Sequence, residues 1–242
     1  MNSCLSIADE IILVTNDTTD STVEIAKSLG ATCLDRPFVS LLDQKSYAFS
    51  LCSHSWTLNI DADEALSESL QRSIRSFLDS PISDVCAGAK FNRLSFFLGR
   101  WIKHGDWYPD RKFRLCDKSK GVWSGLPEHD LLTINGEVKF LKGDLLHYSY
   151  ANINELTEKT IYFTDEYIKR VTTSVNIRIL STLEIIFRSM FRFFRGYFLK
   201  LGFLDGLPGL IIAINSAHYV FVKYTKLRFA CKSVNNHEDC SN

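Results

Sequence analysis

Short apolar runs alternate with stretches of helical periodicity through the first half of the chain. Residues 10–15 read as a buried parallel strand, followed by the polar turn Asn16-Asp17-Thr18-Thr19-Asp20. Ser21-Thr22-Val23-Glu24 has the form of a capping box opening a helix that Gly30 stops. Residues 31–34 form the next apolar run, residues 44–52 a short helix, residues 56–60 a strand and residues 67–78 an amphipathic helix. This β-α-β-α-β order with short connections predicts an α/β fold: an open, mostly parallel sheet with flanking helices. Ligands bind such sheets beyond the carboxyl ends of the strands, so Thr15 to Asp20 and Asp61 to Glu64 fall at the edge where a site is expected.

Residues 85–91 read as a further strand, and residues 99–114 as a loop dense in Trp, His, Gly and Asp. Two short strands, 137–141 and 145–150, are expected to close the sheet. From Ile153 the periodicity turns helical, which places a boundary between a domain at 1–152 and an extension at 153–242. Within residues 177–201, Arg188, Arg192 and Arg195 recur at helical spacing among Phe, Leu, Ile and Met, the pattern of a basic amphipathic helix. The apolar stretch 209–222 is interrupted by Asn215, Ser216 and His218, too polar for a membrane span and suited to an interfacial or buried helix.

Composition sharpens this picture in two places. The 242 residues carry 28 basic and 28 acidic side chains, yet residues 169–232 hold 11 Lys and Arg against only Glu184 and Asp205. A basic, aromatic-rich tail on an acidic domain suggests an anionic surface as partner. The seven cysteines, at 4, 33, 52, 86, 116, 231 and 240, show no zinc-type spacing and read as reduced thiols of a cytosolic protein. No secretory signal precedes the first strand.

The candidate chemistry is concentrated in Leu58-Asn59-Ile60-Asp61-Ala62-Asp63-Glu64, an apolar run ending in three carboxylates. Asp-x-Asp at a strand end suits a hard divalent cation held against a diphosphate. Taken with Gln44-Lys45-Ser46-Tyr47-Ala48, with His104-Gly105-Asp106-Trp107-Tyr108-Pro109-Asp110, with Pro127-Glu128-His129-Asp130 and with His147-Tyr148-Ser149-Tyr150, it resembles glycosyltransferase family 2. These are the inverting, GT-A-type enzymes, and the subgroup it is most similar to is the bacterial lipopolysaccharide-core β-glucosyltransferases. The resemblance runs from about Ile7 to Tyr150 and continues weakly through Gly202-Phe203-Leu204-Asp205-Gly206.

That resemblance implies a GT-A-like sheet and transfer of a sugar, glucose by analogy, from a UDP-sugar to a lipid-linked or lipopolysaccharide-core glycan with inversion. It implies Mg²⁺ or Mn²⁺ on Asp61 and Asp63, with Asp63 in direct contact. Thr15, Asp20, Gln44, Lys45 and Asp61 would bind the donor, and Trp107 and Tyr108 the acceptor. Asp130 would be the base, with Asp110 and Glu128 as rivals, while His129 and His147 would be structural. The expected location is the cytoplasmic face of the bacterial inner membrane, attached peripherally through Arg188, Arg192, Arg195 and Lys200, with no nucleic-acid partner. Two departures stand out. The chain begins inside the family's first helix, so the family's first strand is expected to be missing, and Thr15 stands where the family has an Asp that contacts the nucleobase. These keep an inactive relative, a sugar- or membrane-binding module, as the alternative. A nucleotidyltransferase is disfavoured by the lack of a Gly-rich phosphate loop.

Overall fold

The computed structural model describes residues 1–126, 129–171 and 180–238. The chain runs through β1 (Ile12–Thr15), α1 (Thr22–Ser28), β2 (Thr32–Asp35), α2 (Leu41–Leu51), β3 (Trp56–Leu58), β4 (Glu64–Leu66), α3 (Glu68–Leu78) and a short α4 (Ile82–Val85). It continues with β5 (Gly88–Phe97), β6 (Arg100–Trp101), β7 (Asp110–Asp117), β8 (Gly121–Leu126), β9 (His129–Ile134) and β10 (Val138–Tyr150). The helices α5 (Ile153–Val171), α6 (Thr182–Phe194) and α7 (Gly206–Glu238) complete it. The fold is mixed α/β, as the alternation predicted.

The sheet departs from the expectation of mostly parallel pairing. β1 and β2 pair in parallel as a two-stranded sheet of their own. The larger sheet has the order β3-β7-β5-β10-β4, with β6 on β5, and its described pairs β3–β7, β5–β7, β5–β6 and β4–β10 are antiparallel. The reason is local. Strands β7, β8 and β9 occupy residues read as loop or left without an element, and hairpin-type connections return the chain antiparallel. The two short strands expected at 137–141 and 145–150 are one continuous strand, β10, in which Gly143 (φ 103°) keeps the backbone within reach of Leu70: a Cβ there would lie 2.5 Å from Leu70 N.

By contact density the chain separates into two compact units, residues 1–93 with 110–147, and residues 94–109 with 148–242. The sequence boundary at 152/153 assigned 94–109 to the first. In the first unit, α3 buries Leu70, Ile74 and Phe77 at i, i+4, i+7 against Phe91, Leu115 and Leu145, and Ser67 caps it by accepting from Leu70 N at 3.3 Å. α1 lacks the predicted capping box: Ser21 is not extended (ψ 7°) and makes no side-chain cap, and Asp20 accepts from Thr22 N at 2.9 Å instead.

The second unit owes its extra loop to buried carboxylates. Asp205 Oδ2 accepts from the backbone N–H of Lys103 (3.1 Å) and His104 (2.7 Å). Asp106, 3% exposed at its side chain, faces Arg192, Arg195 and Lys200 at 3.0, 2.8 and 3.0 Å. A buried charge is tolerated only when paired, so these contacts fix residues 102–106 onto the helices. The predicted amphipathic helix appears as α6, followed by a π-helical turn (Arg195–Leu199) and a 3₁₀ turn (Gly202–Asp205); residues 177–179 lie outside the described residues.

Candidate active site

The acidic triplet sits in the tight connection between β3 and β4. Glu64 N donates to Asp61 O at 3.0 Å, closing the turn, and Glu64 Oε2 accepts from Asp61 N at 3.1 Å. Side chains alternate across a strand, so β7 sends Leu115 into the hydrophobic core and Arg114 to the opposite face, toward the triplet. Arg114 Nη2 reaches Asp61 Oδ2 at 2.6 Å and Glu64 Oε1 at 2.7 Å, and Nη1 donates to Asn59 Oδ1 at 3.3 Å.

From this centre a ladder of alternating charge runs both ways. Lys45, from α2, lies 2.8 Å from Asp61 Oδ1 and 2.7 Å from Asp130 Oδ2, with its Nζ 5.3 Å from the centre of the Trp123 ring. On the other side Arg93, from β5, meets Glu64 at 3.6 Å and Asp110 at 2.8 Å, and Lys112 lies 3.2 Å from Asp110. Three predicted site residues from distant parts of the sequence, Lys45, Asp61 and Asp130, thus meet directly. Asp110 belongs to the same ladder, four links from Asp61.

Burial is the largest single influence on Asp61 and pushes its carboxyl up, but Arg114 and Lys45 together outweigh it and hold it below the ordinary carboxylate range. Burial likewise pulls Arg114 down, and Glu64 and Asp61 more than restore it. Asp63 is placed differently. Its side chain is 46% exposed, and the hydrogen bond from His147 Nε2, at 3.1 Å, holds its carboxyl low.

The two carboxylates differ in how far the chain's own cations occupy them. Both Asp61 oxygens face cations of the chain itself, whereas Asp63 has only His147 against one of its two. Among the described residues no group of three or more His, Cys, Asp or Glu is arranged to hold a metal ion. Arg114 Nε, in the ladder, and Trp123 Nε1, beside Lys45, are buried and have no hydrogen-bond partner among the described residues, as has Gln44 Oε1.

The remaining predicted residues are more dispersed. Gln44 Nε2 donates to Arg36 O at 3.1 Å. Thr15 Oγ1 donates to Asp35 Oδ1 at 3.2 Å, and Asp17 N to the same oxygen at 3.1 Å, on the wall of a cavity of ≈ 280 Å³ lined also by Thr18, Val23 and Lys27. Asp20 caps the start of α1. In the second unit Trp107 stacks on Tyr150 at 5.3 Å and packs against Phe97, so much of its ring is spent on the core, and Tyr108 precedes Pro109 in a cis peptide bond. Glu128 lies outside the described residues, as does the side chain of His129.

The sequence reading missed Arg93 and Asp35, and gave Arg114 and Glu64 no role. A basic residue inside a run of β-propensity, as Arg114 is in Phe113-Arg114-Leu115-Cys116, was the available signal: a buried strand carries a charge only where a partner waits.

The family model described as Glycosyl transferase family 2 matches residues 1–127. The uncharacterized glycosyltransferase RP128 of Rickettsia prowazekii (strain Madrid E) is 32% identical over 237 residues, 94% of this chain and 80% of that protein. The lipopolysaccharide core biosynthesis glycosyltransferase LpsC of Rhizobium meliloti (strain 1021) is 27% identical over 240 residues, 95% of this chain and 87% of LpsC. Among solved structures, S. aureus TarS 1–349 in complex with UDP-GlcNAc aligns at 10% identity and a TM-score of 0.43, over 94% of this chain and 83% of that one. The chain belongs to glycosyltransferase family 2.

Proposed function

We propose that this transferase moves a hexose, glucose by the family resemblance, from a UDP-sugar to a lipid-linked glycan of the lipopolysaccharide-core type, with inversion at the anomeric carbon. The observation that carries the reading is that Lys45 Nζ bridges two carboxylates from distant parts of the chain, Asp61 at 2.8 Å and Asp130 at 2.7 Å. The likeness to LpsC over nearly the whole chain supports the acceptor class.

In this reading the acceptor hydroxyl attacks the anomeric carbon while its proton passes to Asp130. The bond from that carbon to the diphosphate breaks with its electron pair, so negative charge develops on the leaving nucleoside diphosphate. A divalent cation bound with the donor would neutralise part of that charge. Asp63, the more accessible carboxylate, would hold it, and His147 orients Asp63 through their hydrogen bond. Lys45 stands between Asp61 and Asp130, so in this reading it would reach the donor phosphates beside one carboxylate and orient the base at the other. Asp35, hydrogen-bonded to Thr15, supplies the carboxylate that the family carries at the position of Thr15. The enzyme would work at the cytoplasmic face of a bacterial inner membrane.

The test is transfer and hydrolysis of UDP-glucose with and without Mn²⁺. Asp63→Ala is expected to lower kcat by about 10²-fold or more, the size of loss seen when one transition-state charge partner is removed. Metal-independent turnover, or full activity in Asp63→Ala, overturns the assignment.

A further inference from the structure

Helix α6 turns an apolar stripe outward. Its exposed large residues are Leu183, Ile186, Phe187, Met190, Phe191 and Phe194, a stripe at i, i+3/4, i+7/8 and i+11, with Leu183 at 79% and Phe187 at 70% exposure. The buried positions are Ile185 and Ser189, and the polar side chains are tied to neighbours: Arg192 lies against Asp106, the exposed Arg188 sits 5.9 Å from the centre of the Tyr224 ring, and Thr182 Oγ1 accepts from Arg228. A surface helix in water has the reverse arrangement. The exposed apolar surface continues round the bend that follows, through Phe198, Leu199, Leu201, Phe203, Leu204 and Leu207.

We infer that this face is an interfacial membrane-insertion surface, occupied by lipid acyl chains rather than held to headgroups by charge. The inference rests on the membrane-associated reading above and specifies how the attachment is made. Three observations select lipid. Of the four basic residues expected to face headgroups, Arg192, Arg195 and Lys200 are instead ion-paired to the single buried carboxylate of Asp106, and Arg188 alone stays exposed without that partner. Among the described residues no single helix is long and apolar enough to cross a membrane, yet Thr182–Leu199 and Gly202–Ala230, bent by 71° at the break, together reach the apolar composition of a span. And the only acidic residues in α6 and the bend are Glu184, engaged in the capping box at the helix start, and the buried Asp205, so nothing anionic opposes entry into the acyl boundary. A bent, apolar pair with most of its basic charge neutralised by Asp106 fits an element that dips into one leaflet.

The experiment is sedimentation of the full chain with vesicles of pure phosphatidylcholine and of phosphatidylcholine with phosphatidylglycerol. It is run at low salt and at roughly 1 M NaCl, where the screening length falls to about 3 Å. Binding to neutral vesicles that survives high salt is expected. Phe187→Ser, Phe191→Ser and Phe194→Ser combined should weaken it at least about tenfold, because each exposes a polar atom in place of a buried ring. These side chains are largely exposed, so an unchanged far-ultraviolet circular dichroism spectrum verifies the fold, and Arg188→Gln should bind as wild type. Binding confined to anionic vesicles and lost in high salt overturns the proposal. So does self-association through this face, seen as a concentration-dependent dimer by ultracentrifugation, without vesicle binding. Neither readout uses donor or acceptor, so failure here leaves the transfer reaction standing.

Discussion

Arg114 ties the site together at the scale of single residues. Among the described residues its guanidinium is the one cation touching both Asp61 and Glu64, and Glu64 is 5% exposed. Removing one member of a buried charge group leaves the others uncompensated, so Arg114→Met should cost about 3 kcal/mol of stability, softened by Arg93 at 3.6 Å from Glu64. Urea unfolding at neutral pH measures it. The pH dependence follows from Asp61, whose carboxyl is held below its ordinary range. A depressed carboxyl contributes stability that is complete above its unfolded pKa and lost as the pH falls through the folded one. The gap between wild type and variant should therefore be full at neutral pH and narrow below about pH 4. A gap that widens on acidification would mean that Asp61 is not what Arg114 holds.

The bend after α6 depends on close backbone approach at the scale of elements. A Cβ at Gly209 would stand 2.0 Å from Gly202 O, and one at Gly202 would stand 2.6 Å from Gly196 O. These distances are backbone against backbone, so no rotamer change relieves them. Gly209→Ala should cost at least about 2 kcal/mol, at the upper end of overpacking effects, although alanine is the better helix former. Thermal unfolding followed by circular dichroism gives the answer, and a variant as stable as wild type would refute the tight bend. Elements were legible in the sequence where periodicity was strong: β1, α3 and the inward face Leu70-Ile74-Phe77 follow from hydrophobic spacing alone. β7, β8 and β9 were not, because Asp110-Arg111-Lys112 and Gly121-Val122-Trp123 carry charge, glycine and aromatics without alternation. Their strand state comes from tertiary pairing, which also brings Asp130 to Lys45 across 85 residues. The motif resemblance found the participating residues, and only the pairing shows which of them touch.

Charge and burial divide the whole molecule differently from sequence order. The excursion 94–109 leaves β5 and returns at β7, yet its loop is fixed by Asp106 and Asp205 to helices that follow Ile153. Phe97 and Ile102, 0% and 1% exposed, pack with Leu156 and Ile212. A fragment ending at residue 152 would therefore leave this loop without its core partners and Asp106 without its three cations. A carboxylate is then freed to water, but the apolar side chains are exposed together, and burying such a residue contributes about 1.5–3 kcal/mol each. The 1–152 fragment is expected to keep protection in α3 and β7 and to lose it across 94–109, as read by amide hydrogen exchange. Limited proteolysis should cut first within that loop in the fragment and not in the full chain. Protection of 94–109 equal in both would show that the loop is ordered by the first unit, and the division by buried carboxylates would fall.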